Sequence, residues 1–437
     1  WAKAVGANGV YGYQFPAERV ETEEELAEYI KNYAYGYNVK AGRSEAGSQT
    51  YQAGVAGGYA GRISGGVVTE AHAWDGKDIT AYKSAGGFAG EMLTEGAAEI
   101  GKVEIAGLPI TGALSALQTF VPVIRNSDVT GYQSGMSIKA VGVPKGEDGK
   151  IEKAGYAGGF VGYMVGGQIW GNWTESGNTE ENNGISTYSV TDAKPDPDND
   201  RCFVANLRRV DGTQAVGGFA GQIDPGSAAA LDTASSEGLL GGLLQGMIST
   251  PGNLLEVLYA TVSTVRAADV KAWDDYGIVV NGVYFDGGPN TSYAKAAGGF
   301  AGEINGAVIG ERDHPESGIH VENIRSVTGG EHAGGFFGLA DVSAVAEISG
   351  DGETSILGSL LELGAVDVLD AFRTFIYDSS VSGTEKSGLE VHAHTWKKSG
   401  LDTEPVYTGN AGGFGGTLLN GSVKGGQVTN LREVEGL

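Results

Sequence analysis

The chain has 437 residues, with 75 glycines, 11 prolines, a single cysteine and a formal charge of −25. The lone Cys202 excludes an internal disulfide framework. The acidic balance argues against nucleic acid or anionic lipid as partners, and the 41% hydrophobic content excludes a disordered chain.

Residues 1–50 read as strand and loop followed by a capping helix. Thr22-Glu23-Glu24-Glu25 has the form of a capping box, and Leu26, Tyr29, Ile30 and Tyr33 follow at helical spacing. Such a helix either closes the end of a repeat stack or decorates the surface. No secretory leader is legible at Trp1, so the sequence reads as a processed protein or a segment of a longer one.

From residue 51 onward one short pattern returns seven times. Two glycines precede an aromatic, a third glycine follows two positions later, and in most copies an aliphatic residue comes four positions later. The aromatics are Tyr59, Phe88, Phe160, Phe219, Phe300, Phe336 and Phe414. Their fourth-position partners are Ile63, Met92, Met164, Ile223, Ile304, Ala340 and Leu418. In a strand, positions i, i+2 and i+4 share a face. The aromatic and the aliphatic are therefore expected inside, stacked coil on coil as a structural aromatic ladder. Arg62, Glu91, Gln222, Glu303 and Thr417 are expected on a polar outer face, where Tyr163 and Leu339 break the pattern. The glycine doublet is expected to supply a bend, and the third glycine to make room for a neighbouring ring.

After four of the motifs comes a glycine corner and a short β-branched strand, as in Gly66-Val67-Val68 and Gly167-Gln168-Ile169. Further polar-aliphatic strands end in glycine, at 127–131 and 379–383. Several short strands per turn predict a mainly β, parallel β-helix or β-solenoid over 51–437. Three longer intervals carry apolar runs near 97–125, 231–266 and 354–377. Leu114, Leu117 and Ile124 align with Leu255, Leu258 and Val265, and with Val366, Leu369 and Ile376, in helical steps. The larger unit is thus two motif strands plus one α-helical insertion, repeated three times. Residues 171–201 and 286–296 read as projecting polar loops, the natural places for binding.

The run Ala297-Gly298-Gly299-Phe300-Ala301-Gly302-Glu303-Ile304-Asn305-Gly306-Ala307-Val308 resembles the GLUG-type repeat. That resemblance implies a secreted, adhesin-like bacterial surface protein with a right-handed solenoid, from a Gram-positive anaerobe. It covers the seven motif regions. The helical insertions depart from the compact repeat of that family.

Few residues suggest chemistry. Leu108-Pro109-Ile110-Thr111-Gly112 matches a sortase sorting pattern, but over 300 residues follow it, so coincidence is the better reading. The uncharged runs 105–124 and 238–255 have the length of a membrane span. Their third equivalent carries Glu362, Asp367, Asp370 and Arg373, which argues against insertion. Asp196, Asp198 and Asp200 offer hard oxygen ligands, making calcium the one cofactor the sequence admits, although Arg201 and Leu207 break an EF-hand. His392 and His394 share a strand face but lack a third ligand.

No catalytic constellation is visible. The expected function is a non-catalytic structural or adhesive segment at the bacterial cell surface. Its partners would be a host or cell-wall glycan, a protein, or copies of itself. A self-assembling filament or surface layer is one alternative. A carbohydrate-active β-helix enzyme using Trp170, Trp173, Trp273 or Trp396 to stack sugars is another.

Overall fold

The computed structural model describes residues 36–42, 54–94, 121–145, 150–153, 155–171, 201–226, 262–285, 291–341, 373–394 and 409–436. These are mainly strand, joined by short turns and bends and arranged as parallel sheets whose pairing fits a β-solenoid. Seven coils are numbered here by their aromatics, from Tyr59 in coil 1 to Phe414 in coil 7.

Each coil contributes to four sheets in turn. The first sheet takes three-residue strands such as Ser84–Gly86 and Tyr156–Gly158. The second takes the strand after the aromatic, such as Ala89–Leu93 and Val161–Val165. The third takes Val67–Thr69, Val123–Arg125, Gln168–Trp170 and their equivalents. The fourth and broadest has twelve strands, including His72–Ala81, Cys202–Asp211 and Ile319–Gly329. Every pairing in these four sheets is parallel, coil to next coil. Two antiparallel hairpins, Val143–Lys145 with Lys150–Lys153 and Val283–Phe285 with Thr291–Tyr293, stand apart from them. The second hairpin, with the strand Ala296–Gly298 after it, replaces the loop expected through 296.

The interior is built in columns. The seven aromatic rings stack face to face, with successive centroids 4.7 to 5.4 Å apart. The backbone keeps step: the N–H of Phe88 donates to the carbonyl of Phe160 at 2.9 Å, and that of Phe160 to Phe219 at 2.7 Å. Five of the rings, Phe88 to Phe336, are fully buried. Tyr59 is 50% exposed because it begins the stack. Further columns run through Met92, Met164, Ile223 and Ile304, and through Ile124, Ile169, Val265 and Ile309.

The glycines serve a different need from the one expected. None of the doublets has a left-handed φ. A Cβ on Gly159 would lie 1.8 Å from the Gly218 carbonyl oxygen, and one on Gly158 2.0 Å from that of Val161. The doublet thus permits close approach of neighbouring backbone. The third glycine faces no ring either: a Cβ on Gly162 would meet the Ser84 hydroxyl and the Gly90 carbonyl.

The insertions leave between the second and third sheets of coils 2, 4 and 6, at 95–120, 227–261 and 342–372, and these lie outside the described residues, as does the segment expected to form the N-terminal helix. Their described C-terminal ends are not helical. Ile124, Val265 and Ile376 are central residues of three-residue strands. The helical alignment fails there because the neighbouring coil takes the backbone hydrogen bonds: Val123 N–H donates to Gly66, and Thr264 N–H to Gly167.

Candidate functional site

The first and second sheets face one another across the outside of the coil. A narrow polar trough runs between them, its walls joined by three pairs within single coils and one between neighbouring coils. Lys83 lies 2.6 Å from Glu91, the Tyr156 and Tyr163 rings stack at 4.8 Å, Lys295 reaches Glu303 at 3.1 Å, and His332 Nδ1 lies 2.8 Å from the Thr417 hydroxyl one coil on. Residues expected on an open outer face are consequently buried: the Glu91 side chain is 0% exposed and Glu303 nearly closed.

Bonds between coils tie the trough together. Arg62 of coil 1 sits 2.8 Å from Glu91 of coil 2. Asp224 of coil 4 accepts from Tyr163 Oη of coil 3 at 2.7 Å, from its own neighbour Gln222, and from Asn305 Nδ2 of coil 5 at 2.8 Å. Asn305 also donates to Glu303 at 3.0 Å. Burial raises the Asp224 pKa against the pull of these donors. Burial, then the adjacent Asp224, pushes the Tyr163 phenol well above its ordinary value. Tyr163 is therefore a neutral donor at every physiological pH. Each buried carboxylate has a cation or an array of donors, the condition for keeping a charge inside.

A second polar seam marks the corner of the third and fourth sheets. Trp170 lies between the Arg125 and Arg266 guanidinium groups at 5.0 and 5.4 Å, and donates Nε1–H to Thr264. Arg201 binds Asp269 at 2.9 Å and donates to the carbonyls of Glu316 and Gly318, so it spans coils 3 to 5. The His72 Nδ1 and Trp74 Nε1 both meet the buried Asp128.

The ladder aromatics thus line the core and touch no open surface except at the ends. Asp196, Asp198 and Asp200 lie outside the described residues, as do Trp173 and Trp396. The described residues contain no group of three His, Cys, Asp or Glu able to hold a metal ion. His392 and His394 stack at 5.6 Å, and His392 Nδ1 lies 3.1 Å from Glu435 rather than beside a further histidine. Cys202 is buried, and its thiol pKa is pushed up to about 12. No described helix is long and apolar enough to cross a membrane. The trough gathers three carboxylates, but its aromatic neighbours are Tyr156 and Tyr163. Trp170 and Trp273 stand on other sheets.

A motif that sequence reading missed lies on the fourth sheet: Asn206-Leu207-Arg208-Arg209-Val210, Asn323-Ile324-Arg325-Ser326-Val327 and Asn430-Leu431-Arg432-Glu433-Val434. The asparagines have φ of 54°, 58° and 55°, the left-handed region in which Asn is the best tolerated non-glycine residue. At Asn206 and Asn323 a register shift turns the next aliphatic, Leu207 or Ile324, into the core and the cation outward, whereas Leu431 after Asn430 is 46% exposed. No family model, curated protein or solved structure matches the chain.

Proposed function

We propose that this chain is a non-catalytic scaffold, a rigid right-handed solenoid stalk of an extracellular bacterial surface protein. The observation that supports this most is the unbroken ring stack and strand pairing through seven coils, with the most elaborate polar groups spent on joining coil to coil. Buried charges used in this way fix register more than they add stability. The chemistry on view is that of a device for holding shape. The GLUG-like run carries the surface location, and the insertions and polar loops are the parts that would display or bind.

The test is direct imaging of the full chain together with surface labelling of its native host. The reading requires a rod of constant width and accessibility to an impermeant label. A globular particle, or a protein protected from label in intact cells, would sink it.

Self-assembly is the second reading. Stacked parallel coils present strand edges along the stack axis, which invites pairing between copies of the chain. Light scattering that grows with concentration would support it, and a monomer at all concentrations would exclude it.

A further inference from the structure

The chain has 54 acidic and 29 basic residues, so carboxylate partners are abundant. Cations on the first three sheets and their corners use them, among them Arg62, Lys83, Arg266, Lys295 and Lys424. Lys40, Lys77, Lys139, Arg208, Lys271 and Arg325 have no carboxylate at ion-pair distance among the described residues. All six lie on the fourth sheet or in its register shifts.

The same face holds the exposed aromatics. Trp74 is 51% exposed, Trp273 36% and Tyr276 69%, and Tyr59 at the end of the ring stack is the other aromatic so open among the described residues. These rings are held in place. Trp74 donates Nε1–H to Asp128 at 2.9 Å, Trp273 donates to the Gln133 carbonyl, and Arg325 lies 4.8 Å from the centre of the Tyr276 ring. Lys77 similarly lies over Tyr132 at 4.1 Å. Fixed aromatic planes lose little entropy when a ligand stacks on them.

We propose that the outer face of the fourth sheet is a binding strip for a linear glycan carrying carboxylate or sulfate groups on alternate sugars. This deepens the scaffold reading by naming the ligand and the face that carries it. Lys77, Arg208 and Arg325 occupy equivalent places in coils 1, 3 and 5, and coils advance by about 4.8 Å, so these cations recur about every 10 Å. Alternate sugars of an extended glycan repeat on that scale. Pyranose C–H faces suit the exposed indole and phenol planes, and the acidic groups suit Arg and Lys. Asp78, Asp274 and Glu322 stand on the same face. They disfavour a dense polyanion such as duplex DNA, so a sparsely charged chain fits better.

The test is affinity electrophoresis of the full chain in gels containing hyaluronate, chondroitin sulfate, dextran or duplex DNA. Retardation by hyaluronate, chondroitin sulfate or both is expected, and the pair distinguishes carboxylate from sulfate. Trp74→Ala with Tyr276→Ala, and separately Arg208→Gln with Arg325→Gln, should each weaken it by about tenfold or more. Arg312→Gln, on the third-sheet corner, should not. Circular dichroism confirms that each variant folds, and the exposed single variants Arg208→Gln and Lys139→Gln serve if a double variant does not. No retardation by either acidic glycan, equal retardation by dextran, preference for DNA, or retention unchanged in the variants would overturn the proposal. A rod by electron microscopy that binds no glycan would overturn this inference while leaving the scaffold reading intact.

Discussion

Phe219→Ala removes a ring from the middle of the stack. Phe219 is fully buried, with Phe160 4.8 Å on one side and Phe300 5.4 Å on the other. Truncating a buried Phe to Ala costs about 3–5 kcal/mol when the site cannot collapse. Collapse is resisted here because the backbone around the ring is pinned to both neighbouring coils. Tyr59→Ala is the control: its ring is half exposed and has one ring neighbour among the described residues, Phe88 at 4.7 Å. Half the burial and one stack give a cost of about 1–2 kcal/mol. Urea unfolding by circular dichroism and fluorescence reads both. Since stacked repeats can unfold in parts, the midpoint and slope should be compared together. A Phe219→Ala cost no larger than that of Tyr59→Ala would refute the argument that ring burial between coils holds the structure.

Three further outcomes follow from the geometry. Gly159→Ala should abolish folding or lower the midpoint severely, since its Cβ meets a backbone carbonyl at 1.8 Å, whereas Gly61→Ala, with its nearest atom at 3.2 Å, should fold and cost under about 1 kcal/mol; soluble yield and melting temperature decide. Asp224 has a folded-state pKa raised by burial, so its contribution to stability is fully present below its unfolded pKa and is lost as pH rises through the folded value. Asp224→Asn should therefore gain melting temperature relative to the native chain as pH rises through that window, and a difference independent of pH would count against the assignment. Cys202, with its thiol buried and its pKa pushed up to about 12, should resist a thiol reagent in the folded protein and react once urea unfolds it.

The repeat was legible because its cause is steric and local. A glycine doublet ahead of a ring is needed wherever coil backbones nearly touch, so the pattern survives in every coil. The buried trough was not legible. Glu91 and Glu303 look like ordinary outward strand residues. Their partners Lys83 and Lys295 stand eight residues earlier, beyond the first-sheet strand, and only the fold-back of that strand brings them over. Ile124 misled for a related reason, since a three-residue strand is too short to show a period of two against an apolar run before it. The Asn-Leu/Ile-Arg-x-Val repeat was present to be found. Its copies lie 117 and 107 residues apart, because it recurs in every second coil rather than in each motif interval.

Cross-linking across coils tests the stacking most directly. In a Cys202→Ser background, Ser137→Cys with Arg209→Cys places thiols on register partners in adjacent coils of the fourth sheet. Neighbouring parallel strands hold Cα atoms about 5 Å apart, within disulfide reach. Ser137→Cys with Val279→Cys skips one coil, because Arg209 pairs with Val279 on its other side. Rapid oxidation of the first pair within the monomer, with none of the second, is the predicted result. Equal oxidation of both, or a bond only in the second, would contradict the stacked-coil account.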